Sequence, residues 1–322
     1  MHVSSLAWTL TLGAIVGLVL LDLMVVNRKP REASLRESAI ASLVWTAIGL
    51  GFGLIVLWVY GGEPGGQYFA GYLLERTLSV DNVFVFVLIL GYFAVPMALQ
   101  HRALLWGVVI ALVLRAVFIV LGDAMLERFE WTTFVFGAIL VYSAISLARG
   151  GDEKVEPEQN PGLRLMRRIV PVSNDFEGHK LLTRLSGSGK RAATPLFAVL
   201  VVIGTTDLVF AVDSIPAIFS ITEDVFIVFT ANAFSLLGLR PLAFLLAGVM
   251  HRFVYLKPAL AIVLGLVGAK MVAKGFHFDV NVWISLAVIG LILSGGVFLS
   301  LLRTHGNEPT EGPASEGEGA QQ

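Results

Sequence analysis

The sequence predicts an all-α fold: a polytopic transmembrane helix bundle of about nine spans with an inverted three-plus-three repeat. Three observations predict it. Hydrophobic residues make up 56% of the 322 and charged residues only 15%, against about 25% charged in a typical soluble domain. The apolar residues gather into nine stretches near the ~20 residues that a helix needs to cross a ~30 Å hydrocarbon core. The basic residues fall almost wholly into alternate loops between those stretches, as the positive-inside rule requires.

The stretches are 6–26, 39–60, 68–95, 102–121, 131–149, 194–220, 225–248, 257–273 and 281–302. Backbone groups inside lipid must be satisfied within the segment, so each is predicted to be a helix. No Lys or Arg precedes residues 6–26 and no small-residue cleavage site follows. That stretch is therefore predicted to be a retained span, not a signal peptide. With the N-terminus outside, seventeen of the 23 basic residues lie in cytoplasmic loops, and only Arg128 and Lys274 lie in outer ones. The expected location is a bacterial cytoplasmic membrane, with the C-terminus inside.

The loop 150–193 opens GGDEKVEPEQNP, which predicts a flexible start, and continues LRLMRRIVPV, a basic and apolar mixture suited to the inner leaflet or to plain solvation. Residues 303–322 are too polar to fold and are predicted to be a disordered tail. Net charge is −1, which gives no reason to expect a nucleic-acid partner. The absence of cysteine excludes disulfides and thiolate metal sites. The histidines (His2, His101, His179, His251, His277 and His305) fall outside or at the ends of the apolar runs, so an imidazole metal site inside the membrane is not expected.

The informative residues are charges inside spans, each of which costs at least ~2.5–3.5 kcal/mol at a helix centre. The third span carries Glu75, Arg76, Asp81 and Asn82; the sixth carries Asp207, Asp213, Ser214 and Pro216. ERTLSVDN (75–82) and DLVFAVDS (207–214) share one pattern: acid, five residues, acid, small polar residue. On oppositely directed helices, such a pair marks an inverted repeat, with halves at about 68–149 and 194–273. Arg115 in the fourth span and Arg240 in the seventh are candidates to balance the acids, and Asn232 is a further polar residue. Arg76 is expected to snorkel outward, and Asp22 to pair with Arg28 or Lys29. Asp224 should favour the N-terminus of its helix.

Six residues turn a helix through about 600°, a net rotation of about 240°, over ~9 Å of rise. Glu75 and Asp81, like Asp207 and Asp213, can share one cavity only if their helices bend between them. Pro216 frees the carbonyl of Val212, so a break is expected in the sixth span. Carboxylates, amides and hydroxyls are hard oxygen donors that suit Mn²⁺, Mg²⁺ or Ca²⁺. The candidate ligands are Glu75, Asp81, Asn82, Asp207, Asp213 and Ser214, with Arg115, Asn232 and Arg240 in support. The alternative for Asp81 and Asp213 is a structural interhelical hydrogen bond.

At these residues the sequence resembles the TerC family, including its Alx-like branch, within the lysine-exporter-like transporters. The residues that carry the resemblance are LLERTLSVDNVFVFVLI (73–89), ALVLRAVFI (111–119), TTDLVFAVDSIPAIFSIT (205–222), DVFIVFTANAFSLLGLRPL (224–242) and the VGAKM end of the eighth span. Pro241 follows the LGLR motif where many relatives have another residue. The resemblance implies a membrane protein linked to tellurium resistance, alkaline response and Mn²⁺ efflux. It implies no prosthetic group and no enzyme activity, with the divalent cation as cargo and the bilayer as surroundings. The competing function is a membrane assembly or maturation factor that docks through the long loop. A redox enzyme has no thiol or nucleotide fingerprint to use here, and four acids suit a cation better than an amino acid.

Overall fold

The computed structural model describes residues 3–28, 34–149, 157–173, 176, 178, 180–184, 191–247, 255–278 and 280–305, without the side chains of 25–28, Asp81, Arg184, Leu301, Thr304 and His305. The expectations for 150–156 and for 306–322 lie outside the described residues. The helices are α1 (Ser5–Arg28), α2 (Leu35–Tyr60), α3 (Gly62–Tyr92), α4 (Met97–Arg128), α5 (Thr132–Ala148), α6 (Pro161–Ile169), α7 (Pro195–Phe219), α8 (Val225–Leu237), α9 (Leu239–Ala247), α10 (Leu256–Gly275) and α11 (Val282–His305). Every predicted span falls on a helix, and 225–248 falls on the pair α8 and α9.

Local sequence sets several of the starts. Ser34 and Glu37 form a reciprocal capping box at α2. Thr194 caps α7 ahead of Pro195. Asp224 accepts from the amides of Phe226 and Ile227 at the start of α8, where a negative charge also suits the helix dipole.

Among the described residues, six helices are long and apolar enough to cross a bilayer, and α8 with α9, bent by 45°, makes a seventh. The chain is thus a multi-pass, all-α membrane protein. α5 is apolar but has only 17 residues. α3 has 31 residues, but any membrane-length stretch of it contains Glu75 and Arg76 together with Glu63 or Asp81. The crossing stretches of α1, α11 and α2 are 17%, 22% and 28% buried, against 56% for α7. α7 is therefore central, and the other three lie at the periphery.

The helix break is not where Pro216 predicts it. α7 runs unbroken through Pro216, which stands one turn from the helix end, where the loss of a single backbone bond is tolerated. The bend instead falls at Gly238, between α8 and α9. Pro241 lies in the first turn of α9 and offers no amide to the Leu237 carbonyl. Gly238 is also crowded: a Cβ there would strike the guanidinium of Arg76.

Two hydrophobic clusters fill the bundle. One joins Leu74 of α3, Ile119 of α4, Ala211 to Phe219 of α7, and α8. The other joins Val83 to Leu90 of α3, Leu99 to Ala111 of α4, Leu196 to Ile203 of α7, and Leu239 to Leu246 of α9. α3 passes from the first cluster to the second, and α7 passes from the second to the first. They therefore run in opposite directions, and Glu75, Arg115 and Asp207 lie at the waist between the clusters.

Parts of the loop before α7 form regular structure. A 3-10 turn (Pro157–Gln159) leads into α6, and β1 (Leu182–Arg184) pairs antiparallel with β2 (Arg191–Ala193). Leu163 and Met166 of α6 are buried in the second cluster, so α6 is not a plain solvated loop, while Leu165 and Ile169 are exposed on its other side. α11 extends helical structure to His305, past the expected start of the tail.

α5 and α10 meet through small residues, as membrane helices commonly do. A Cβ at Gly268 would lie 2.9 Å from Leu140 Cβ, and one at Gly137 would lie 2.6 Å from Val272 Cγ2. Gly268→Leu is expected to lower the thermal midpoint of the detergent-solubilised protein, at an overpacking cost of about 1–3 kcal/mol. An unchanged midpoint would contradict this packing.

Candidate functional site

α4 carries Arg115 into the waist, where it is 0% exposed, as are Glu75 and Asp207. Its Nε donates to Asp207 Oδ2 at 3.2 Å and its Nη2 to Asp207 Oδ1 at 3.1 Å. This is the two-pronged grip that a planar guanidinium makes on a carboxylate. Nη1 donates to Glu75 Oε1, to Asn232 Oδ1 at 2.9 Å and to Ser214 Oγ at 3.2 Å. The Asn82 amide, with its oxygen turned to Nη2 at 3.2 Å, completes the shell and donates to Leu78 O at 3.2 Å. All five N–H donors of the guanidinium are engaged. One side chain thereby ties together α3, α4, α7 and α8.

Helical periodicity explains which predicted residues meet. Seven residues turn about 700°, so residues i and i+7 lie within about 20° of each other. Glu75 and Asn82 are such a pair, and so are Asp207 and Ser214. Each motif therefore presents its first acid and its small polar residue to Arg115. The second acid of the α7 motif is rotated away: Asp213, half-buried, accepts from Ser143 Oγ of α5 at 2.7 Å. Asp81 stands on α3, and its side chain lies outside the described residues. α3 and α7 are each unbroken between their two acids, and Asp213 does not join Glu75 and Asp207. Among the described residues, no three His, Asp or Glu side chains come together as a metal cage.

Two charged residues differ from expectation. Arg240 grips Asp22 of α1, its Nε 3.0 Å from Asp22 Oδ2, and so does not balance the central acids. The expected contact of Asp22 with Arg28 or Lys29 lies outside the described residues. Arg76 turns inward: its Nη1 donates to Ser235 O at 3.0 Å and its Nη2 to Thr46 Oγ1 at 3.3 Å. Ser235 lies in the last turn of α8, where helix carbonyls lack partners within their own helix. Arg76 therefore caps the helix that stops at Gly238.

The acceptors around Arg115 are all oxygens. Among the described residues, Glu75 Oε2 is buried with no hydrogen-bond partner. Two carboxylates facing one guanidinium leave an excess of one negative charge. Such a layer can take up a proton or a cation with little help from the backbone.

Sequence reasoning passed over Ser143 and Asn160. The Asn-Pro pair at 160–161 was a legible helix start, and Asn160 caps α6 while also reaching Thr205 Oγ1 at 2.9 Å.

Residues 60–308 match the family described as integral membrane protein TerC family. An uncharacterized membrane protein of Myxococcus xanthus is 41% identical over 297 residues, covering 92% of each chain. Thylakoid membrane protein TERC, chloroplastic, of Arabidopsis thaliana is 41% identical over 262 residues, 81% of this chain and 67% of its own. Putative membrane-bound redox modulator Alx of Photorhabdus laumondii is 37% identical over 301 residues, 90% of this chain and 93% of its own. No solved structure matches.

Removing one partner of a buried ion pair strands the others, at a cost of about 3–5 kcal/mol. Arg115→Leu should therefore lower the thermal midpoint in detergent substantially. Adding Glu75→Gln and Asp207→Asn to it should restore most of the loss. An unperturbed Arg115→Leu protein would show that the cluster does not hold the helices together.

Proposed function

We propose that this chain, which belongs to the integral membrane protein TerC family, is a secondary transporter that exports a divalent cation, Mn²⁺ first among them. The observation that carries the reading is the buried layer of Glu75, Asp207 and Arg115, with Glu75 Oε2 unpartnered among the described residues. The guanidinium stands in for a cation in the empty layer, and a proton on Glu75 removes the remaining negative charge. An entering divalent ion takes the carboxylate oxygens, drives off that proton and displaces Arg115. Asp81 and Asp213 are the anions left to balance the displaced guanidinium. Because protons and metal compete for the same oxygens, affinity rises with pH.

Alternating access comes from two inverted halves, α3–α5 and α7–α10, within nine spans. The opposed directions of α3 and α7 support this. So does reciprocal packing, in which α3 lies on α8 as α4 lies on α7. The Glu75 and Arg76 charges that set α3 apart from an ordinary span have partners inside the bundle, which supports α3 as a crossing helix. The loop charge bias supports an N-terminus outside and a C-terminus inside. Oxygen donors do not separate Mn²⁺ from Mg²⁺ or Ca²⁺; Mn²⁺ comes from the family resemblance. The name of the Photorhabdus relative refers to redox modulation, but without cysteine this chain has no thiol route to it. Leu163 and Met166 of α6 pack into the bundle, so that face of the loop is not free to dock a partner, as an assembly factor would use it.

Flux of Mn²⁺, Mg²⁺, Ca²⁺ and Zn²⁺ should be measured in proteoliposomes. Saturable Mn²⁺ flux is expected. It should fall more than about 100-fold in Asp207→Asn or Glu75→Gln, the equivalent of about 3 kcal/mol at a buried charge, and be impaired in Asp81→Asn and Asp213→Asn. Undiminished flux in the Asp207 and Glu75 variants would remove the site, and no flux across the panel would remove the transporter.

A further inference from the structure

The chain between α5 and α7 turns back into the bundle before it leaves it. Pro157 is buried at the start of this arm. Asn160 Oδ1 accepts from the Leu163 amide at 3.1 Å and from Thr205 Oγ1 at 2.9 Å. The Gly162 backbone lies against the same threonine: a Cβ there would strike Thr205 Cγ2 and come within 3.2 Å of Oγ1. Leu163 and Met166 are buried in the cluster on this side of the charged layer. The far end is pinned by Ala193 N donating to Pro171 O and Ser173 N donating to Ala193 O, both at 2.8 Å. The arm thus lies along the first half of α7. It runs from the start of that helix to Thr205, ~15 Å along the axis and two residues short of Asp207.

We propose that residues 157–172 are a gate that closes the approach to the Arg115 layer from the loop 150–193 side, with Asn160 and Thr205 as its latch. The latch is built to release. The Thr205 hydroxyl has one proton and two other acceptors within reach, Val201 O at 2.7 Å and Val202 O at 3.1 Å. When Asn160 leaves, the hydroxyl turns back to its own helix, as threonines in membrane helices do, and no buried donor is stranded. Asn160 keeps its second task, the cap of α6, so the arm moves as one piece. Its outer face carries Arg164, Arg167 and Arg168, all exposed. While the arm is seated, these three positive charges stand beside the approach and repel a cation.

The gate rests on the proposed transport only for its flux measurement, so its test has a second readout. The chain has no cysteine, and Asn82→Cys places one probe beside Arg115 on the arm's side of the layer. In open membranes, a charged methanethiosulfonate should modify it slowly behind the native arm. Adding Asn160→Ala should speed modification by about fivefold, the equivalent of one net hydrogen bond of about 1 kcal/mol. Gly162→Leu, which cannot seat, should speed it further. Equal rates in all three proteins would overturn the gate, whether or not the chain carries metal. The pair Gly162→Cys and Thr205→Cys, oxidised, should stop Mn²⁺ flux, and reduction should restore it. Flux that is undiminished in the cross-linked protein would overturn the gate and leave the transporter standing.

Discussion

A single guanidinium in the middle of the bundle is the constraint on which the structure depends. Arg115 is 0% exposed, and a charge so placed persists only if anions and hydrogen-bond acceptors surround it. Two acids, two amides and a hydroxyl do so, drawn from α3, α7 and α8. The need to satisfy that one group fixes the rotation of three helices about their axes. It also fixes their relative heights, since Glu75, Arg115 and Asp207 must share a level. The hydrophobic clusters above and below then pack around a layer already in register. Carboxylates outnumber guanidinium there, so the layer that organises the fold is also the one on which the proposed transport rests.

The two ends of α8 show how the surrounding parts serve that layer. Asp224 fixes its start, and Arg76 caps its last turn where the chain bends at Gly238. Asn232, between those two points, is thereby held against Arg115. The neighbouring α9 is tied to α1 through Arg240 and Asp22. The charged residues outside the central layer thus brace the helices that form it.

Much of this was legible in the sequence. Apolar stretches of bilayer length marked the spans, because lipid leaves the backbone few other choices. Glu75, Asn82, Asp207, Ser214, Arg115 and Asn232 stood out as polar groups in apolar runs, and they meet. What misled in the α7 motif was treating both of its acids as one site. Intact helices carry residue i+6 about 240° round and i+7 nearly back to the start, so Ser214 meets Arg115 while Asp213 meets Ser143. The break was misplaced because Pro216 looked central, although it stands a turn from the end of α7. Gly238 and Pro241 together stop α8, and the glycine is required by Arg76, a contact between residues 162 positions apart in the chain. Such long-range pairings, like Arg240 with Asp22 or Asn160 with Thr205, leave no periodic trace.

The central claim is that a divalent ion and a proton exchange on the Arg115 layer. Its most direct test is calorimetric titration of the purified protein with Mn²⁺ in two buffers of different ionisation enthalpy. The account predicts saturable binding, with about one proton released per ion, and loss of both in Asp207→Asn. Binding without proton release, or binding that survives that substitution, would contradict it.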